Sequence, residues 1–214
     1  MPVDTTETAA SLSAATKSTC GPTATLPAEP ASETITLRPA TPDDADALAL
    51  VGAATFLEAF TWMLPGPDII AHCAKNHTPA AYRAYLSHPD TRITLALTGD
   101  QVPVGFAMLT APELPSIPTL PTDIELKRIY LFSRFRSLAT PIAGQPGIKP
   151  AQALLNAAIA DARSLHRTRL LLGTHGNNLR AIAFYRRNGF TEVGTRTFQV
   201  GSQQCCDLIF AKTC

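Results

Sequence analysis

The sequence predicts an α/β fold, and three observations carry that prediction. Residues 34–39 alternate apolar and polar side chains, the period of a half-buried strand, and 92–97 and 102–109 read as a strand and its return strand. Residues 177–190 read N-N-L-R-A-I-A-F-Y-R-R-N-G-F and place Ala181, Ile182, Phe184 and Tyr185 on one face of a short amphipathic helix, with Arg180, Arg186 and Arg187 left to solvent. That helix follows a short apolar run at 169–174 and precedes a β-like run opening at Phe190, so strand, helix and strand succeed one another. Asn178 stands where an N-cap belongs and Gly189 where a helix ends.

The other elements follow in order. Residues 1–32 are rich in Thr, Ala, Ser and Pro without an apolar period, a composition that buries too little surface to offset its ordering entropy, so a disordered tail is expected before a domain over 33–214. Residues 34–39 are the first strand. Thr41 is a cap, Pro42 suits a first helical position and Asp44 completes a capping box, leading a helix whose buried face holds Leu48, Val51, Thr55, Phe56 and Ala59. The aromatic run F-L-E-A-F-T-W-M at 56–63 reads either as core packing or, through Phe60 and Trp62, as a pocket lining. Two short helices at 66–87 break at His77-Thr78-Pro79, with Tyr82, Tyr85 and Leu86 inward. Strands 92–97 and 102–109 form a hairpin turning at Gly99-Asp100. Gly105 inside the second strand marks a bulge or the close approach of another backbone. Proline-punctuated residues 112–121 suit a stiff rim, and 125–131 form a further strand. A helix opens at Pro150 with Ala151, Leu154, Leu155, Ala158 and Ile159 on one face, and strands 190–200 and 204–211, turning at Gly201-Ser202, close the sheet.

Bulk properties exclude several function classes. The 214 residues are 45% hydrophobic and 16% charged with a formal net charge of +1, so no strong field draws the chain to nucleic acid. No apolar run reaches the roughly 18 residues of a membrane span. The first residues lack a basic segment followed by an apolar one, so no signal peptide and a cytoplasmic location are expected. The five cysteines, Cys20, Cys73, Cys205, Cys206 and Cys214, fit neither a disulfide framework nor a metal site. Cys205 and Cys206 are adjacent in a strand and point to opposite faces. The histidines are scattered, and no metal is expected.

The pattern N-x-x-A-x-x-F-Y-x-x-x-G-F over 178–190 resembles the last strand–helix–strand unit of the GCN5-related N-acetyltransferases (GNAT). The start R-P-A-T-P-D-D-A-D is similar to the opening of many domains of that family. E-L-K-R-I-Y, F-Y-R-R-N-G-F, G-T-R-T-F-Q-V-G and Q-x-x-D-L-I-F-A-K are similar in wording to relatives of the PaiA-type polyamine acetyltransferases. The resemblance spans about residues 33–212. It implies a mixed, mostly antiparallel sheet splayed in the middle with helices on both faces, acetyl-CoA as co-substrate, and acetylation of a primary amine by direct attack.

The same resemblance assigns residues. Ile129, Tyr130 and Leu131 would present unpaired backbone N–H groups to the thioester carbonyl and pantetheine, donors placed where charge develops. Tyr185 would protonate the leaving thiolate, since a phenol is protonated at neutral pH; from spacing alone it reads as a core tyrosine. Asn178 would bond the CoA arm, alongside its capping. Glu125 is the candidate base by its place on the central strand; an exposed strand residue or salt-bridge partner is the alternative.

The pyrophosphate loop departs from the family's Q/R-x-x-G-x-G/A. Here Arg134-Phe135-Arg136 leads through S-L-A-T-P-I-A-G-Q-P-G-I-K-P to A-Q-A-L-L, a connection longer than usual by roughly ten residues. Ala151 aligns with the final small position, Gly147 lies near the loop, and Lys149 replaces the middle glycine. Either the insertion bulges out while residues 147–151 still cradle phosphate, with Lys149 or Arg136 adding charge, or the cradle is degraded. For the acceptor, a polyamine or other small amine is expected, with a protein N-terminus or lysine, or a catalytically degraded CoA-binding protein, as alternatives. Glu58, Asp68, Glu113 and Glu125 are the acidic residues available to a cationic acceptor. Exposed sheet edges in such folds commonly pair into homodimers.

Overall fold

The computed structural model describes residues 34–136, 140–200 and 203–214, apart from the side chain of Phe198. The expected tail over 1–32 and the turn at Gly201-Ser202 lie outside the described residues.

Strand β1 (Thr36–Pro39) hands the chain to helix α1 (Ala45–Phe60) through a turn built on Thr41 and Asp44. The N–H and the hydroxyl of Thr41 both donate to Asp44 Oδ2, at 2.7 and 3.0 Å, which is the reach-back of the expected capping box. Arg38 grips the same carboxylate through both terminal nitrogens at 2.7 Å each. Those charge-assisted bonds hold the Asp44 carboxyl down at about 2. The capping residue therefore also ties strand to helix.

Helices α2 (Gly66–Asn76) and α3 (Pro79–Leu86) break where the sequence predicts. Thr78 Oγ1 accepts from Ala81 N at 3.1 Å and Pro79 takes the first helical position, where its missing N–H costs nothing. Of the expected inward residues, Tyr82 is wholly buried and Tyr85 and Leu86 are half-buried.

The remaining elements are β2 (Arg92–Leu97), β3 (Pro103–Thr110), β4 (Asp123–Leu131), α4 (Pro150–Ser164), β5 (Arg169–His175), α5 (Leu179–Arg187), β6 (Thr191–Val200) and β7 (Gln203–Thr213). They form a seven-stranded sheet in the order β1-β2-β3-β4-β5-β7-β6. β4 and β5 pair in parallel and every other neighbouring pair is antiparallel. One face packs under α4 and α5 through Leu126, Leu154, Leu170 and Phe210. The other packs under α1 and α3 through Leu48, Tyr82, Leu95 and Phe106. Each such fully buried side chain contributes about 1.5–3 kcal/mol. Adjacent Cys205 and Cys206 are buried and exposed respectively, as the pleat requires.

Two irregularities and one divergence shape the middle of the sheet. Ala96 pairs with Gly105 and Leu97 with Pro103, leaving Val104 as an extra residue on β3. Met108 pairs with Arg128 and Leu109 with Leu126, leaving Lys127 as an extra residue on β4. Gly105 answers both expectations made of it, since it adjoins the first bulge and its absent Cβ would stand 2.5 Å from the Tyr130 carbonyl oxygen. β4 meets β5 only at Asp123, Ile124 and Glu125, although β4 runs on to Leu131 and β5 to His175. Beyond Glu125 the two strands part, which is the expected splay.

The long connection into α4 is fastened over its described part. Ile35 N donates to Pro141 O at 2.8 Å, Ala143 N donates to Ile35 O at 2.9 Å, and Ile142 is buried in the core beneath α4. Residues 141–143 thus lie along the start of the first strand instead of bulging into solvent.

Candidate active site

The register of β3 against β4 settles where the β4 backbone points. Phe132 N donates to Val104 O at 3.0 Å, and hydrogen-bonded pairs alternate along an antiparallel ladder. Tyr130, opposite Phe106, is therefore bonded to β3, whereas Ile129 and Leu131 turn their N–H and C=O groups to the other edge, into the gap left by β5. Arg136 Nε donates to the Leu131 carbonyl from that side at 2.8 Å. Of the three expected backbone donors, the ladder directs Ile129 and Leu131 into the gap, and Tyr130 contributes its ring on the opposite face, edge-on to Phe106.

The gap is the middle of a cleft of ≈1080 Å³ that reaches from α1 and α2 on one side to the starts of α4 and α5 on the other. Glu125, Ile129, Tyr130, Leu131, Arg136, Lys149, Ala151, Asn178 and Tyr185 all line it. Gly147 is not among the lining residues; its φ of +77° belongs to the turn that feeds α4.

Both helix starts offer N–H groups to this cleft. In α4, Lys149 is the N-cap residue without a side-chain cap bond, Ala153 N takes up the Lys149 carbonyl at 2.9 Å, and Ala151 and Gln152 line the cleft from the first turn. No acidic side chain sits in that turn, so the positive end of the helix dipole is uncompensated there. In α5, Asn178 Oδ1 accepts from Ala181 N at 3.2 Å, so Asn178 is the cap and a cleft residue together. Arg136, Lys149, Arg180 and Arg187 border the same region. Burial, then the proximity of Arg180, lowers the Arg136 guanidinium from its ordinary value. This donor set suits an anionic phosphate-bearing ligand.

Tyr185 enters from α5 with its ring packed against Phe184, Phe190 and Phe210, at centroid distances of 5.5, 5.6 and 6.4 Å. Burial, followed by the neighbouring Tyr130 phenol, pushes its hydroxyl above the ordinary tyrosine value. It is at once a core residue and a cleft residue, and it keeps its proton at neutral pH.

Glu125 is 2% exposed, which removes the reading of an exposed strand residue. Its Oε2 accepts from Glu113 N at 2.8 Å, and its Oε1 lies 3.8 Å from Arg196 Nη1. Arg196 Nε donates to Asp207 Oδ2 at 3.0 Å. Asp207 also lines the cleft, and burial raises its carboxyl from the ordinary value. Sequence reading passed over Arg196 and Asp207 because they converge only when β6 and β7 pair, Arg196 opposite Asp207. His72, stacked on Phe56 at 4.1 Å, was missed in the same way, since α2 must fold against α1 before it reaches the cleft.

The remaining candidates divide. Phe56, Phe60 and Trp62 all line the cleft, Phe56 as a buried core residue and Trp62 as an exposed rim residue whose Nε1 donates to Ala59 O at 2.7 Å. Glu58 lines the cleft but accepts from Ser133 N and Oγ at 3.0 and 2.8 Å. Glu113 pairs with Lys127 at 2.6 Å, and neither Glu113 nor Asp68 is among the lining residues. The rim expected of residues 112–121 instead caps the sheet, with Leu114 packed on Leu171 and Ile209.

Comparison with known proteins places this geometry. A profile of the acetyltransferase (GNAT) family matches residues 149–190, from the α4 N-cap to the residue before β6. Uncharacterized N-acetyltransferases of Mycobacterium tuberculosis and Mycobacterium bovis are 31% identical over 169 residues, covering 79% of this chain and 97% of theirs. The crystal structure of a PaiA N-acetyltransferase from Thermoplasma acidophilum in complex with coenzyme A is similar in fold, with a TM-score of 0.65 at 19% identity over 84% of this chain and 99% of that one. A GCN5-related N-acetyltransferase structure from Rhodopseudomonas palustris gives 0.60 at 18% identity over 87% and 100%.

Proposed function

The chain belongs to the GNAT family of acetyl-CoA-dependent N-acetyltransferases, and from that premise we propose that it acetylates the primary amine of a small molecule, with Glu125 receiving the amine's proton and Tyr185 supplying one to the departing sulfur. The observation that carries the reading is the open edge of β4: beyond Glu125 it opens on a cleft that Ile129, Leu131 and Tyr185 all line. Bound acetyl-CoA supplies an acetyl thioester open to attack by a neutral amine.

The residues present fit such a co-substrate. Ala151 and Gln152 N–H groups with Lys149 at the start of α4 would hold its pyrophosphate, and Arg136 would add charge. The missing glycines are offset by the helix end itself, whose donors reach the cleft without Gly147. Asn178 would steady the pantetheine arm from the start of α5.

Within the chain, Ile129 and Leu131 would stabilise negative charge on the carbonyl oxygen through fixed N–H donors. Tyr185 Oη would hold a proton for the departing sulfur, and its raised pKa keeps that proton in place until a stronger base forms. Glu125 Oε1 faces the acceptor half and takes the ammonium proton directly or through water. A small acceptor is favoured because α1, α2 and Trp62 wall the acceptor half. A polycationic acceptor is less well served, since Glu58 is engaged by Ser133 and Asp207 by Arg196, which leaves Glu125 to meet a single ammonium.

The test is thiol release from acetyl-CoA across a panel of small primary amines and peptides. Turnover with small amines and not with peptides is expected. Turnover confined to peptides contradicts the proposal.

A further inference from the structure

Arg128 projects from β4 on the acceptor face of the sheet and lines the cleft, yet it is only 7% exposed. Its guanidinium lies over the rings of Tyr82 and Tyr85, 5.5 and 5.3 Å from their centroids. Among the described residues no carboxylate pairs with it, and its Nη1 is buried without a hydrogen-bond partner. A buried cation that lacks an anion is an unusual state, because a desolvated charge demands a counter-charge.

The neighbouring side chains repeat the demand. His77 Nδ1 and Tyr82 Oη are 2.9 Å apart. The hydroxyl of Tyr82 and this ring nitrogen satisfy each other, whereas the second ring nitrogen, His77 Nε2, is buried and unpartnered. His77 Nε2 and Arg128 Nη1 are thus two neighbouring buried nitrogens without a partner, and Arg128 is the one that lines the cleft. His72, stacked on Phe56, closes the apolar wall beside them. The cleft's acids do not answer this demand, being held by Ser133 or Arg196.

We propose that the floor of the acceptor half, built on Arg128 and backed by His77, receives an anionic group of the acceptor, so that the substrate class is an amine carrying a carboxylate. The amine points to Glu125 and the carboxylate to Arg128, both on the same face of β4. This deepens the acetyl-transfer reading and rests on it.

The test pairs amines with and without a carboxylate: 4-aminobutyrate against 1,4-diaminobutane, β-alanine against ethylamine, and lysine against 1,5-diaminopentane. Each is titrated calorimetrically into the CoA-bound protein and assayed for thiol release. The carboxylated member of a pair should be preferred by roughly tenfold or more, since a site built for a polar group rejects the analogue that lacks it. Arg128→Gln should abolish the preference with CoA affinity unchanged, and Arg128→Lys, which keeps the charge without the planar fork, should retain part of it. A thermal melt checks that the variants fold; if the glutamine variant does not, the lysine variant carries the comparison. Diamines binding as well as amino acids, no preferred carboxylated amine, or an undiminished preference in Arg128→Gln overturns the proposal. Carboxylate preference in the binding arm with no acetyl transfer to any amine would leave this inference standing and overturn the acetyl-transfer reading instead.

Discussion

Arg196 holds its Nη1 3.8 Å from Glu125 Oε1, an ion-pair distance without a direct hydrogen bond. The other carboxylate oxygen is fixed by the Glu113 amide at 2.8 Å. One oxygen of Glu125 is anchored and the other remains available to a substrate proton, while the guanidinium, hydrogen-bonded to Asp207, offsets part of the carboxylate's charge. Glu125→Gln keeps the anchoring bond and removes the base. We expect kcat/KM to fall roughly 100- to 10,000-fold with little change in Tm. An activity within twofold of the native protein would remove Glu125 from the role and leave Asp207 as the carboxylate to test.

Tyr185→Phe separates packing from chemistry, because the stacked ring persists and only the hydroxyl is lost. Turnover should fall roughly 10- to 1,000-fold with acetyl-CoA affinity retained, measured by thiol release and calorimetry. With the phenol pKa raised, Tyr185 should impose no alkaline loss of activity up to about pH 10, the ordinary tyrosine value.

Burial lowers His72 to about 4 and His77 to about 3, with the Arg128 charge adding to the effect. A base whose folded pKa is depressed binds fewer protons in the native state than in the unfolded one, so stability rises with pH across that interval. The contribution is complete above the unfolded value of about 6.5 and is lost as pH falls toward 4 and 3. Urea unfolding between pH 7 and 4 should show midpoints declining with acidity, and a His72→Gln, His77→Gln double variant should flatten that slope. An unchanged slope contradicts the assignment.

At Gly105 the backbone of β4 approaches so closely that a methyl group would stand 2.5 Å from Tyr130 O and 2.9 Å from Leu131 Cα. Gly105→Ala should destabilise by about 1–3 kcal/mol through overpacking. It should also lower kcat, because the displaced segment carries the Leu131 donor. Denaturant titration and steady-state kinetics together check both effects; a loss of stability with kcat intact would mean the β4 edge tolerates displacement.

How far the sequence was legible depends on whether a feature is local. The helix of Ala181, Ile182, Phe184 and Tyr185, the break at His77-Thr78-Pro79 and the Gly189 stop (φ +77°) are written in neighbouring residues and appear where expected. The Gly105 approach was visible because a glycine inside a strand lacks the side chain that would hold a neighbouring backbone away. Arg196 with Asp207, and Arg128 with His77 and Tyr82, join residues far apart in the chain, and no periodicity marks them. The pyrophosphate end is a different case. The A-Q-A-L-L helix start lies where the sequence puts it and brings Ala151 to the cleft, whereas Gly147 is not among the lining residues and the anchoring of the inserted segment by Ile142 on Ile35 has no local signal.

The most direct test of the account is calorimetric titration of acetyl-CoA into the native protein and into Lys149→Glu. The account predicts saturable binding below about 1 mM for the native protein, weakened roughly tenfold or more when a carboxylate is set at the start of α4. No detectable binding at that concentration, or equal affinity in the two proteins, would contradict it.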